Sequence, residues 1–135
     1  MRADLEDITV ETDNLEWSPL SEGIAFKVLR LGHESGTWSV LFQCQPGSSF
    51  APHIHLGAGE YFLIKGRMDY RVGTVSGGSY GYEPLGVFHE QTLFPEYTEL
   101  YFTNHGPIAF VDKDKNILSV LDVRFFADAG ARAAA

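Results

Sequence analysis

The sequence predicts an all-β fold, with about ten short antiparallel strands forming a sandwich or barrel. Three observations carry that expectation. Strand-like runs recur about every ten residues, Gly and Pro punctuate the gaps, and almost no segment shows the apolar period of a helix. The length of 135 residues suits one domain, which would bury roughly two-thirds of the surface of its unfolded chain. A hydrophobic content of 44% with 13% aromatic residues supplies a core and argues against extended disorder.

Residues 1–20 read as an N-terminal arm, and the core spans about 24–123. The first strand expected is 24–31, followed by a turn at Gly32-His33-Glu34-Ser35-Gly36. In 37–44, Trp38, Val40, Phe42 and Cys44 alternate on one face, so Cys44 is a packed core thiol rather than a nucleophile. Pro46-Gly47 ends that run. Strands are expected next at 50–55, 60–65 and 67–72, with Gly66 as a tight hairpin turn between the last two. After Gly77-Gly78 come 79–83 and 87–91, separated by Pro84-Leu85-Gly86. Segments 98–103, 108–111 and 117–123 complete the set, and 113–116 is a polar hairpin turn. The alanine-rich tail, 128–135, reads either as a frayed helical turn or as disorder. The arm around 8–19 could pair across subunits.

Composition narrows the partners and the compartment. A single cysteine excludes an internal disulfide framework and fits a reducing environment. No basic leader precedes an apolar stretch, and no apolar run approaches 18 residues. The expected address is therefore the cytoplasm. A formal net charge of −8 disfavours nucleic acid and anionic membrane as partners. No Ser/His/Asp order, phosphate loop or CxxC supports another enzyme class.

The chemistry points to the histidines. His53 and His55, separated by one residue, share a face if they lie on a strand. Beside apolar Phe50, Ile54 and Leu56, an unpartnered pair would be costly to bury, and metal ligation removes that cost. His89 follows a second punctuated segment, Gly78-x5-Pro84-x-Gly86-x2-His89. Three imidazoles from two strands can hold one divalent transition metal and leave positions open for substrate. Spacing alone does not separate iron(II) from zinc, nickel, manganese or copper. All three ligands must be neutral, so affinity should fall with acidity around a pKa of about 6.5. His33 and His105 lie in turns and read as solvated loop residues.

Gly47-x5-His53-x-His55-x4-Glu60 followed by Gly66 resembles the first cupin motif, and the segment ending at His89 resembles the second. The asparagine usual four residues after that histidine is replaced by Leu93. The runs 46–68 (PGSSFAPHIHLGAGEYFLIKGRM), 80–95 (YGYEPLGVFHEQTLFP) and 106–112 (GPIAFVD) are similar to the acetylacetone-cleaving dioxygenases. That resemblance covers about 24–123. It implies a jelly-roll barrel with a three-histidine iron(II) site inside, cleavage of β-diketones with O₂, and a homodimer or homotetramer.

Most metal cupins add a glutamate ligand, and Glu60 looks like it. Five residues, 61–65, separate Glu60 from Gly66, where the usual motif has six. Gly59 then occupies the ligand slot and Glu60 faces the other way, unless a bulge lets Glu60 reach the metal. Three neutral ligands would leave the +2 charge uncompensated, favouring an anionic chelating substrate such as an enolate. Tyr61, Arg71, Glu83 and Thr92 are the polar residues expected around the site. By resemblance, Glu83 is a carboxylate behind the ligands that could take a histidine N–H or the substrate's enol proton, and Arg71 could pair with it. Phe50 and Phe88 are expected as apolar walls, or as plain core. Two other functions compete: a zinc-binding regulatory or sensor cupin of the anti-sigma-factor type, and a three-histidine zinc hydrolase or isomerase.

Overall fold

A computed structural model of the chain describes residues 6–134, with side chains as far as Ala129. Of the expected arm and tail, residues 1–5 and Ala135 lie outside the described residues. The strands are β1 (Ser18–Ser21), β2 (Ile24–Leu31), β3 (Trp38–Cys44), β4 (Ser48–Phe50), β5 (His53–His55), β6 (Gly59–Lys65) and β7 (Arg67–Tyr70). They continue as β8 (Gly73–Ser76), β9 (Tyr80–Glu83), β10 (Phe88–His89), β11 (Thr92–Phe94), β12 (Thr98–Asn104), β13 (Ile108–Val111) and β14 (Ile117–Leu121). Helix α1 (Val123–Ala134) follows. The all-β expectation holds.

A six-stranded sheet in the order β1-β2-β3-β12-β6-β9 forms one wall. Two four-stranded sheets, β10-β5-β13-β14 and β4-β11-β7-β8, complete the enclosure. Every described pairing is antiparallel. Strand β3 shows why the sequence folds this way. Its residues alternate strictly between buried and half-buried, with Trp38, Val40, Phe42 and Cys44 turned inward. Burial pushes the Cys44 thiol pKa far up, which fits an inert core thiol.

The larger strand count comes from short segments. The run expected at 50–55 is two strands in different sheets, β4 and β5, split at Ala51-Pro52. Segment 73–76, too polar to announce itself, pairs with β7 from Arg67↔Ser76 to Tyr70↔Gly73. Gly66 is not the tight hairpin turn expected. Strand β6 pairs with β9 and β12, whereas β7 pairs with β8 and β11, so the chain changes sheet at Gly66. There φ is +100°, and an added Cβ would lie 2.4 Å from both Thr98 Oγ1 and the Tyr97 carbonyl. Only glycine fits that crossing. The turn at 113–116 does join β13 to β14, with the Asp112 carboxylate accepting the Asp114 and Asn116 amides at 2.9 Å. Part of the N-terminal arm folds back on its own chain: β1 pairs with β2, and Lys27 lies 4.6 Å over the Trp17 ring.

The chief departure is α1. The strand expected to 123 ends at Leu121, and Asp122 caps a helix by accepting the Phe125 amide at 2.9 Å. Phe126, fully buried, packs against Phe26 (5.0 Å between centroids, edge-on) and Trp38 (4.9 Å). The capping aspartate and the Phe125/Ala129 spacing were readable, but a three-turn element at a chain end leaves little periodicity to count. No helix among the described residues is long and apolar enough to cross a membrane. Phe126→Ala should destabilise the fold by about 3–5 kcal/mol through the cavity it leaves. Denaturant unfolding checks this as a lower midpoint with unchanged slope.

Candidate metal centre

The site is assembled from a three-residue strand and a two-residue one. In β5, His53 and His55 are buried on either side of half-buried Ile54. In β10, His89 stands directly opposite His53 and Phe88 opposite Ile54. Strand alternation and this register put three imidazoles on one face. Their ring centroids lie 5.0–5.2 Å apart, and one donor nitrogen from each lies within 4.8 Å of the others.

The hydrogen bonds define which nitrogens are available. His53 Nδ1 lies 2.8 Å from the Ala51 carbonyl, which can only accept. His53 therefore carries its proton on Nδ1 and leaves Nε2 with a lone pair. His55 Nδ1 meets Asn104 Oδ1 at 3.0 Å. Among the described residues, His55 Nε2 and both ring nitrogens of His89 are buried without a hydrogen-bond partner. Orphaned buried nitrogens are expensive, and a metal ion would satisfy one on each ring. The donor set thus fits a divalent transition metal held by neutral imidazoles.

Four strands of the large sheet present one register row to these histidines. Asn104 of β12 pairs with Trp38 of β3 on one side and Gly59 of β6 on the other, and Gly59 pairs with Glu83 of β9. The Glu83 carboxylate reaches within 3.4 Å of His55 Nε2 and 3.6 Å of His89 Nε2. Burial lifts its pKa to about 7, partly opposed by the Arg71 charge. Arg71 itself is solvent-exposed, and among the described residues no ion pair joins it to Glu83. The expected contact is a through-space influence instead. Tyr61 is buried, with its hydroxyl 2.8 Å from that of Tyr70. Thr92 is buried on the cavity wall.

The cavity is small, about 30 Å³, and is walled mainly by Phe42, Phe50, Met68, Leu100, Phe102 and Phe110, with His53, Tyr61, Glu83 and Thr92 as its polar lining. Phe50 is a wall, as expected. Phe88 is not: alternation turns it away from His89, and Lys115 lies 4.8 Å over its ring. Glu60 also points outward, hydrogen-bonded to Tyr80 (2.5 Å) and 3.1 Å from His105 Nε2. A bulge does exist in β6, but it lies beyond Leu63, so Gly59, Tyr61 and Leu63 keep the inward face. His33 and His105 are exposed loop residues.

Sequence reasoning missed Asn104, Phe110 and Tyr70. Phe110 lies 5.7 Å from the His53 ring, and Tyr70 stacks on His89 at 5.8 Å. Asn104 had a legible signal, because it falls on the inward phase of Thr98, Leu100 and Phe102, where a polar residue must have a partner.

Protons and metal compete for the same lone pairs. Burial lowers all three histidines, His55 to about 4 and His89 to about 3, from an ordinary 6.5. Below 6.5 the unfolded chain takes up protons there that the fold does not, so these residues cost stability as pH falls, His55 toward 4 and His89 toward 3. Glu83 acts oppositely: its folded pKa is raised from 4.5, so its contribution is lost as pH rises from 4.5 to about 7. Zinc binding should remain stoichiometric at pH 5.5, where free imidazole would be about nine-tenths protonated. Equilibrium dialysis across pH checks this, and half-release near pH 6.5 would contradict it.

Comparison with known proteins agrees with this geometry. Residues 5–109 match the family model described as a ChrR cupin-like domain. An acetylacetone-cleaving enzyme from Acinetobacter johnsonii is 42% identical over 103 residues, covering 72% of this chain and 67% of that enzyme. The crystal structure of an acetylacetone dioxygenase from A. johnsonii superposes with a TM-score of 0.82 at 35% identity, covering 92% of this chain and 89% of that one. A candidate acetylacetone dioxygenase from Methylibium petroleiphilum gives a TM-score of 0.87 at 37% identity, covering 97% and 96%. With its fold and most of its length matched, the chain belongs to the ChrR cupin-like family of the cupin superfamily and lies close to the acetylacetone-cleaving enzymes.

Proposed function

We propose that the protein is a mononuclear non-haem iron(II) dioxygenase that cleaves a carbon–carbon bond of a β-diketone, or a related small enolisable ketone, with O₂. One observation carries this reading: three uncharged imidazoles and one carboxylate converge at a mainly apolar cavity. Support comes also from the activity for which the relatives from A. johnsonii and M. petroleiphilum are named.

His53, His55 and His89 would hold the metal. Bound iron(II) would supply a Lewis acid for the substrate oxygens and the redox partner that O₂ requires. Everything else is the work of the chain. Three neutral ligands add no negative charge, so a +2 ion among them favours an anionic, bidentate enolate over a neutral ketone. Glu83 stands beside two of the ligands, where its carboxylate can accept the enol proton. Burial raises its pKa, and the +2 charge of a bound ion would draw it back toward the ionised form that accepts a proton. Arg71 favours the same ionised form from a distance. The Tyr61–Tyr70 hydroxyl pair and Thr92 offer hydrogen bonds at the cavity edge. Phe50, Phe102 and Phe110 give the site an apolar lining that would exclude water around a bound substrate.

The match to the ChrR cupin-like family model favours a second reading, a zinc-binding sensor without turnover. The same donor set would also serve a zinc hydrolase or isomerase. Oxygen uptake separates them. Protein loaded anaerobically with iron(II) and given 2,4-pentanedione should consume O₂ on admission of air, and the zinc-loaded form should not. Iron bound at one per chain without uptake by any small enolisable ketone would contradict the dioxygenase assignment, and zinc retained from the native host would then support the sensor.

A further inference from the structure

We infer that Asn104 is a positioning residue for the metal site: its carboxamide locks His55 in the tautomer that ligates through Nε2, in space left by the absent side chain of Gly59. The inference rests only on the metal-binding part of the proposed function, not on the identity of the metal or the reaction.

Asn104 is fully buried at the inward end of β12. Its amide orientation is determined by its neighbours. Nδ2 lies against the Gly106 carbonyl, which can only accept, so that side of the amide must be the donor. Trp38 Nε1 donates to the same carbonyl at 3.0 Å and holds it in place. Oδ1 is therefore the atom that faces His55 Nδ1 at 3.0 Å. An amide oxygen cannot donate, so His55 must carry its proton on Nδ1 and present a bare Nε2 to the metal. The chain of constraint runs from Trp38 through Gly106 and Asn104 to His55 without a free choice.

Gly59 completes the device. A Cβ at position 59 would lie 2.6 Å from Asn104 Oδ1, 2.9 Å from Phe102 Cζ and 3.2 Å from His55 Cε1. Any longer side chain there would displace Asn104 or the imidazole. Gly59 and Asn104 are thus a matched pair on adjacent strands. Together they put a neutral acceptor behind His55. His53 is fixed in the same sense by the Ala51 carbonyl, while His89 has no such partner among the described residues.

The test begins with metal-free wild-type protein, in which two-bond ¹H–¹⁵N correlation spectra read each imidazole tautomer. His55 should show a protonated, pyrrole-type Nδ1 and a pyridine-type Nε2. A His55 protonated on Nε2, or averaging between tautomers, would overturn the inference without any variant. Zinc affinity is then measured by chelator competition. Asn104→Leu keeps the branching of the side chain and removes the acceptor; it should scramble the His55 tautomer and weaken zinc binding about 10–100-fold. Asn104→Asp keeps an acceptor for His55 and, protonated on the oxygen that faces the Gly106 carbonyl, replaces the lost donor there, so it should restore the Nδ1 tautomer. Unchanged affinity and tautomer in Asn104→Leu would sink the assignment. Should these results hold while iron-loaded protein consumes no O₂, the proposed reaction fails and the role of Asn104 stands.

Discussion

Three imidazoles can share one buried space only if each is uncharged and each inward lone pair has something to meet. Every other feature of the interior follows from that condition. Protonating any one of them would place a cation among apolar rings and beside two other imidazoles, which is why burial, reinforced by neighbouring histidines, drives His55 and His89 far below the ordinary range. Buried ring nitrogens without a hydrogen-bond partner cost stability, and a divalent ion would satisfy one on each ring. Metal binding and folding are therefore coupled at this site.

The fold meets the condition by dividing labour between its sheets. The small sheet delivers the ligands, with His53 and His89 in direct register. The large sheet delivers the groups that set their protonation and the surrounding charge, along the single row Trp38, Asn104, Gly59 and Glu83. Because side chains alternate with period two, a one-residue slip of β6 or β12 would turn part of that row outward. The long pairing of β12 with β3, unbroken from Thr98↔Cys44 to Asn104↔Trp38, guards against such a slip. Helix α1 braces the end of the row, since Phe126 packs on Trp38 and Trp38 holds the Gly106 carbonyl.

Much of this was legible in the residues. The alternation through Trp38, Val40, Phe42 and Cys44 gave the inner face of β3 directly, and the His53/His55 spacing implied a shared face. The one-residue shortfall between Glu60 and Gly66 was enough to suggest that Gly59, not Glu60, stands at the ligand position, and Glu60 indeed faces solvent. Local pattern carried less information where the chain changes sheet. Gly66 reads as a hairpin turn because its neighbours are strand-like on both sides, yet the crossing is dictated by Thr98 and Tyr97 from distant sequence. Phe88 reads as a pocket wall from its adjacency to His89, and adjacency on a strand means the opposite face. The pairing of His55 with Asn104 joins residues 49 positions apart, and no local period reports such a contact.

The central claim is a metal held by three neutral histidines and no carboxylate. The most direct test is a crystal structure of the zinc-loaded protein near neutral pH, refined well enough to count ligands. Three Zn–N contacts of about 2.0–2.1 Å to His53, His55 and His89, with water or substrate completing the coordination sphere and both Glu83 and Glu60 outside it, is the predicted result. A carboxylate oxygen of either glutamate bound to the metal would contradict it, because the site would then carry its own anion and lose its physical preference for an enolate.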